Sequence, residues 1–471
     1  MEANKAKIIC TIGPASDSLE MLAKLANAGM NIARLNFSHG SHEEHLQKIK
    51  RIRKVSRQTG KAIAILQDLQ GPKIRVGTFE NPPIQLNPGD LFTLTTDDIQ
   101  GNAHIVSTSY KKLAHDVQVD DEILVNDGLI KLKVQYKKGK DIFCEVINGG
   151  SLYDRRGINL PGVKVSEPSL TAKDKRDLKF GLDNGVDYVA LSFVRDAESI
   201  LQVKKIIGKH NVPVIAKLEK PEALDNLDAI IEATDAVMVA RGDLGVEIAA
   251  SKVPVVQKKI IEKCLLAGKP VITATQMLDS MMVNPVATRA ETSDVANAVF
   301  DGSDAVMLSG ETAFGKYPLE SVKYMASIIH DAEANKAYFR KNLVLKQKNE
   351  TRSFSHSVCQ AAYYSAKDIE AAYIIVFTES GYTAQMMSNL RPLSRILALS
   401  GSQNTLNRTA LLWGVTPSLI TKKIEIIKDL SILERYLKEK KFVKSGDNVV
   451  IMAGSSKEEG GTDLLRLHRI S

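Results

Sequence analysis

Cysteine is scarce in this 471-residue chain, and what there is does not pair. Cys10, Cys144, Cys264 and Cys359 are scattered without a CxxC spacing, which argues against a disulfide framework or a zinc site and fits a reducing cytosol. Aromatic residues make up only 5% of the chain, with a single tryptophan, Trp413. None interleave with basic residues as a stacking platform for nucleic acid needs. The densest basic run, Lys48 to Arg57, keeps Ile49, Ile52 and Val55 at a spacing of three, so it reads as the solvated face of an amphipathic helix. No apolar run approaches a membrane span, and the opening MEANKAKIIC has no secretory core. Nucleic acid and membrane are not expected partners, and a cytoplasmic location is expected. What remains is a globular composition, 44% hydrophobic and 25% charged with net charge +8. The length suits about three domains, and small phosphorylated ligands would account for the positive excess.

The chemistry gathers between Pro213 and Gly245. PVIAKLEKPE is a short apolar run ending in Lys217 and Glu219, and DAVMVARGDLG is a second, ending in Arg241, Gly242 and Asp243. Both read as buried strands. PEALDNLDAIIEAT between them has helical spacing, with Pro221 at its start. A strand–helix–strand unit brings Lys217, Glu219 and Asp243 to neighbouring strand ends. Two carboxylates there suit a hard cation such as Mg²⁺, and the lysine suits a phosphoryl group or an enolate. An ordinary ion-pair cluster would look the same, so recurrence of the pattern decides.

The pattern recurs. Strands are expected near residues 7, 31, 63, 186, 213, 235, 270 and 304, each followed by a helical segment. Between about Lys73 and Pro168 the pattern changes to short alternating strands with turns at NPGD, VNDG, KKGK and NGG. This predicts a (β/α)8 TIM barrel interrupted by an all-β lid domain. From about Arg352 a C-terminal α/β domain with a mostly parallel sheet follows. The expected boundaries are 1–72 and 169–345 for the barrel, 73–168 for the lid and 346–471 for the last domain.

A barrel works at the carboxyl ends of its strands. Strand two offers Arg34, Asn36, Ser38 and His39; strand three Asp68, with Arg75 just beyond; strand four Ser192 and Phe193. Strands five and six add Lys217, Glu219, Gly242 and Asp243, strand seven Thr275 and Gln276, and strand eight Ser309, Gly310 and Glu311. Arginines hold phosphate oxygens bidentately and lysine adds a point charge. Polar groups on so many strands point to phosphoryl or enolate chemistry on a divalent metal.

These residues lie in segments that resemble the bacterial-type pyruvate kinase family over nearly the whole chain. The matching segments are CTIGPAS, MNIARLNFSHG, GPKIR, DDEILVNDGLI, GINLPG, MVARGDLGVEI, ITATQMLDSM, NPVATRAE and DGSDAVMLSGETAFGKYP. The resemblance implies glycolytic transfer of the phosphoenolpyruvate phosphoryl group to ADP, giving pyruvate and ATP. It implies that Lys217 stabilises the moving phosphoryl group, that Glu219 and Asp243 bind Mg²⁺ or Mn²⁺, and that Arg34 holds the substrate phosphate. Gly242 and Thr275 would meet the enolpyruvate part, Thr275 near the proton path. Asn36, Phe37, Ser38, His39, Arg75 and Arg156 would bind nucleotide phosphates, Arg156 standing where the family often has lysine. Asp127 would line the lid side of the cleft, and a homotetramer is implied. A metal-dependent pyruvate-enolate lyase and a non-catalytic nucleotide-binding protein of the same fold are the alternatives.

Two departures stand out. Family members commonly read LDTKGPEIR where this chain has QDLQGPKIR, so Lys73 replaces a glutamate. In the family Asn36, Ser38, Asp68 and the carbonyl at Leu69 would bind K⁺. A lysine beside that pocket brings its own charge, so K⁺ is expected to be dispensable. The loop Thr378 to Gln385, with Thr378, Ser380, Gly381 and Thr383, follows a strand and opens a helix. It would cradle a sugar phosphate or AMP effector, or be a plain helix cap. The Gly-rich Gly454 to Asp463 is expected to close over it.

Overall fold

A computed structural model of the chain describes residues 4–335, 353–420, 430–454 and 461–471. Eight parallel strands, Lys7–Thr11, Met30–Asn36, Ala64–Asp68, Tyr188–Leu191, Val214–Leu218, Ala236–Ala240, Val271–Ala274 and Ala305–Leu308, close into a barrel. Most are buried along their whole length, which is why they read as continuous apolar runs. Ile9, Leu66, Ile215, Met238 and Ile272 fill the interior, while outward residues pack under the surrounding helices.

Local chemistry explains where the helices begin. Ser41 and Thr288 accept from the backbone of Glu44 and Glu291, whose carboxylates reach back to the cap N–H. Gly29, at φ 130, and Gly60, at φ 67, end their helices in conformations other residues avoid. The single helix expected over residues 221–234 is instead two, Pro221–Asp225 and Leu227–Ala233. Asn226 makes the break, and its amide donates to the carbonyls of Arg195, at 2.9 Å, and Glu222. A side chain competing for backbone carbonyls disfavours a continuous helix.

The insertion is a six-stranded sheet beside a two-stranded one, with only the short helix Leu113–Asp116. Its core, which includes Ile74, Phe92, Ile123, Leu132 and Val165, is separate from that of the barrel. Arg195, just past the fourth barrel strand, donates to the carbonyls of Val165 and Glu167 and so fixes the returning chain.

In the C-terminal domain Tyr373–Phe377, Arg395–Ser400, Val415–Leu419 and Asn448–Gly454 are parallel. Pro417 lies in Val415–Leu419, an edge strand where a missing N–H is tolerated. A fifth strand, Thr462–Arg469, pairs antiparallel at the other edge. The expected closing loop therefore ends earlier than Asp463. Residues 455–460 of that loop, and the expected boundary at 345/346, lie outside the described residues. Among the described residues no helix is long and apolar enough to cross a membrane.

This domain docks on the amino-terminal end of the barrel, opposite the strand ends that carry chemistry. Lys7 Nζ donates to Val415 O at 2.7 Å and Asn407 Nδ2 to Asp187 Oδ1 at 3.0 Å. Arg391 pairs with buried Asp304 at 2.9 Å and lies 4.8 Å from the Trp413 ring. Replacing Arg391 with alanine leaves that carboxylate buried without its cation, so Arg391→Ala should cost about 3–5 kcal/mol. The urea midpoint read by Trp413 fluorescence should fall accordingly, and adding Asp304→Ala should recover part of the loss.

Candidate active site

Fourth-, fifth- and third-strand residues converge on one ammonium group. Lys217 Nζ lies 2.7 Å from Ser192 Oγ, 2.8 Å from Glu219 Oε1 and 3.2 Å from Asp68 Oδ1. The other Asp68 oxygen accepts from Arg34 Nε at 2.7 Å, and Arg34 Nη1 reaches Thr11 Oγ1 at 2.9 Å. Glu219 Oε2 accepts the Phe193 N–H at 2.7 Å, and Ser192 Oγ donates to Leu69 O at 2.7 Å. The register that pairs Asn36 with Asp68 and Ala190 with Asp68 sets these side chains at one level.

Burial works against the Lys217 ammonium, but the Asp68 and Glu219 carboxylates outweigh it and hold its pKa above the ordinary lysine value. Asp68 is likewise held ionised: burial opposes its charge, and Lys217 and Arg34 more than offset that. Glu219 goes the other way. Burial and the nearby Asp243 charge outweigh Lys217 and raise its carboxyl pKa. A carboxylate pair under that pressure favours an added cation.

Strands six and seven form the other wall. Gly242 N donates to Thr275 Oγ1 at 2.7 Å. Arg241, tied to Asp294 at 2.7 Å, donates to the carbonyls of Thr275 and Gln276. Lys73 Nζ comes within 3.5 Å of Asp243 Oδ1.

Residues 3–322 match the family model for the barrel domain of pyruvate kinase, and residues 356–468 that for its alpha/beta domain. Among curated relatives, the pyruvate kinase of Geobacillus stearothermophilus is 44% identical over 99% of this chain and 80% of its own length. Those of Staphylococcus aureus (strain MRSA252) and Sporosarcina psychrophila are each 45% identical, with the same coverage. The chain belongs to the pyruvate kinase family. Its activity is that phosphotransfer, in glycolysis, and the barrel, β lid and C-terminal sheet are as the sequence predicts.

The pyruvate kinase family uses a divalent metal, and the residues present fit one. Among the described residues no group of three or more His, Cys, Asp or Glu is gathered to hold an ion alone. Glu219 and Asp243 can supply two oxygens, leaving substrate and water to complete the shell, which is how Mg²⁺ is commonly bound.

The remaining expected residues divide. Asn36 Oδ1 accepts the Ser38 N–H at 3.1 Å, and His39 follows. Burial first, then the charges of Arg75, Lys73, Arg34 and Lys173, keep the His39 pKa low. Two of these cations are themselves paired, Arg34 with Asp68 and Lys173 with Asp177. Lys173 escaped the sequence reading because it lies on a helix beyond the lid. Phe37 is 2% exposed and stacks on His45 at 3.9 Å, so its ring faces the core. Arg75 donates to Arg155 O at 3.1 Å. Arg156 is exposed on the lid, 5.3 Å from the Tyr153 ring, and Asp127 is exposed at a lid hairpin. Far away, Thr378 Oγ1 accepts from Gly381 N at 2.9 Å and Thr383 Oγ1 meets Thr462 Oγ1 at 2.6 Å.

His45 holds the loop that carries Asn36 to His39. Its Nε2 donates to His39 O at 2.9 Å, and its Nδ1 is buried without a partner, so the ring is neutral with the proton on Nε2. Burial brings its pKa from 6.5 down to about 4. The unfolded chain takes the proton first, so stability falls as pH drops from about 6.5 to about 4, by up to about 3 kcal/mol. Urea midpoints at pH 7 and pH 5 should differ less in His45→Gln than in the parent protein.

Proposed function

We propose that Lys217 carries the phosphoryl transfer, with Arg34 on the phosphoenolpyruvate phosphate and Glu219 and Asp243 holding Mg²⁺ or Mn²⁺. The observation that carries this reading is the buried Lys217 ammonium, in contact with Ser192, Asp68 and Glu219 and one carboxylate away from Arg34. Phosphoryl transfer asks a protein mainly for positioning and charge stabilisation. Lys217 is fixed on three sides, so it needs no reorganisation as charge moves from one oxygen to the other. Arg34 is oriented by Asp68 and Thr11. The divalent metal, when bound, neutralises phosphate charge that would otherwise keep two anions apart.

Gly242 and Thr275 are proposed to border the enolpyruvate part. A side chain added at Gly242 would meet Thr275 only at ordinary contact distance, 3.5 Å. Internal packing therefore does not demand glycine there, and close approach of a ligand is a sufficient reason for it. Asn36, Phe37 through its backbone, Ser38, His39 and Arg75 are proposed to face the nucleotide phosphates, with Arg156 brought in by the lid.

Lys73 is proposed to make added K⁺ dispensable. Its ammonium lies 3.5 Å from Asp243 on a partly exposed side chain, and its charge acts on His39. Of the residues assigned to the K⁺ pocket, three have oxygens with internal partners: Arg34 and Lys217 on Asp68, Ser192 on the Leu69 carbonyl, and the Ser38 N–H on Asn36. Regulation by a sugar phosphate or AMP at Thr378–Thr383 has weaker support. Both threonine hydroxyls are buried and engaged, Thr378 by the Gly381 N–H and Thr383 by Thr462, which favours the cap and leaves the exposed Ser380 as the side chain a phosphate would meet. A homotetramer and a cytoplasmic location remain inferences from the family.

Lys217→Met should lower kcat by at least about 10²-fold, the scale of one lost preorganised donor, with pyruvate release as the assay, run below the unfolding temperature of the variant, which loses the cation facing two buried carboxylates. A loss confined to KM would refute the role. In buffer free of Na⁺ and K⁺ at fixed ionic strength, the parent enzyme should keep its rate, added K⁺ changing it less than about twofold. Lys73→Glu should then require K⁺. A parent rate that collapses and returns only with K⁺ overturns the reading of Lys73.

A further inference from the structure

Glu247 is a buried carboxylate that the proposed transfer does not use. It ends the helix Arg241–Glu247, whose first turn carries Gly242 and Asp243. Its Oε1 accepts from Lys220 Nζ at 2.6 Å, and Lys220 directly follows Glu219. The same oxygen accepts at 2.9 Å from Asn159 Nδ2, on the lid strand Ile158–Asn159. The Glu247 side chain is 1% exposed, and its Oε2 is buried with no partner.

One oxygen therefore ties three segments together: the lid, the loop carrying Glu219 and the helix carrying Asp243. The lid also comes near that helix at Gly128, where an added Cβ would lie 3.6 Å from Val246 Cγ1. A buried carboxylate needs its donors. If Asn159 withdrew, Glu247 would keep only Lys220 and have both oxygens short of partners. The lid's docked position and the geometry of the two carboxylate-bearing segments are thus set by the same group. Sequence spacing conceals this, because Asn159 and Glu247 are 88 residues apart.

We propose that Glu247 is a positioning residue that makes docking of the lid and assembly of the Glu219–Asp243 pair a single event. Asn159 is the lid's half of the latch and Lys220 the barrel's. The proposal rests on the assignment of Glu219 and Asp243 to the metal. Its consequence is specific: disturbing Asn159, a lid residue whose amide donates to Glu247, weakens metal activation.

The test uses Asn159→Asp, which sets a second carboxylate against Glu247, and the exchange variant Asn159→Asp/Glu247→Gln, which restores one amide, one carboxylate and a partner for Lys220. In Asn159→Asp the Mg²⁺ activation constant and the KM for ADP should each rise about tenfold. Amide hydrogen exchange over residues 158–165 and 241–247 should quicken in metal-free, substrate-free protein. The exchange variant should return all three quantities to within about threefold of the parent. Asn159→Ala, which only deletes the lid's donor, should move them in the same direction and serves if either charged variant folds poorly. Parental exchange and parental Mg²⁺ activation in Asn159→Asp would overturn the latch, as would an exchange variant no better than the single one. Metal-free exchange is independent of the metal assignment. If Glu219→Gln left Mg²⁺ activation unchanged while exchange in Asn159→Asp still quickened, the assignment would fall, and with it the claim that the latch assembles a metal site.

Discussion

The active end of this barrel is organised by the cost of burying an ammonium group. Lys217 can stay charged at 8% exposure only because Asp68 and Glu219 face it. Each of those carboxylates then needs its own partners, which brings in Arg34 on Asp68 and the Phe193 N–H on Glu219. Three carboxylates, Asp68, Glu219 and Asp243, stand beside three cations, Arg34, Lys217 and Lys73. The protein's own charges are close to balanced, so an incoming anionic substrate tips the site negative. A divalent cation reverses that, which is an electrostatic reason for the family's metal requirement. It also explains why exchanging a glutamate for Lys73 matters: the change moves the local balance by two charges.

The two ends of the barrel divide the labour. At the amino-terminal end, Lys7, Asp187 and Asp304 are committed to the C-terminal domain, which serves stability. At the carboxyl end the polar groups are bound to one another in ways a ligand can compete with, and the lid closes over them. Arg195 stands at the junction, holding the lid's returning chain from a position just past Ser192 and Phe193. Lid position and strand-end geometry are therefore mechanically linked even before Glu247 is considered.

Much of this was legible in the sequence because it is written locally. Ser41 with Glu44 and Thr288 with Glu291 announce helix starts three residues apart, and apolar runs ending in Lys217–Glu219 or Gly242–Asp243 announce strand ends. The unread features depend on partners distant in the chain or on competition between weak signals. Lys73 was visible as a charge reversal, but its direction toward Asp243 is a contact across 170 residues. Lys220 and Glu247 lie within motifs already noticed, yet their meaning requires Asn159 from the lid. The strand Thr462–Arg469 is an edge strand with only its first residue fully buried, so it lacks the apolar run that marked the others. Asn226 divides a helix whose apolar spacing alone looked continuous.

Backbone strain supplies the remaining argument about the site. Phe193, Thr275 and Gln276 all adopt left-handed conformations, at φ 54, 71 and 52, just past the ends of their strands. For a β-branched residue such as Thr275 this is costly, on the order of 1–3 kcal/mol. The cost is tolerated because the surroundings over-determine the turn. Arg241 donates to the Thr275 and Gln276 carbonyls, Asp294 fixes Arg241, and Gly242 N donates to the Thr275 hydroxyl. Glycine at 275 would relieve the strain but would carry no hydroxyl. The hydroxyl donates to Ala274 O and accepts from Gly242 N, which leaves it one free lone pair. A strained turn that keeps a hydroxyl, built beside a glycine that internal packing does not require, supports the proposal that a small polar ligand meets both residues. The same turn is anchored through the helix that ends in Glu247, so the strained wall of the cleft and the lid latch share a single support.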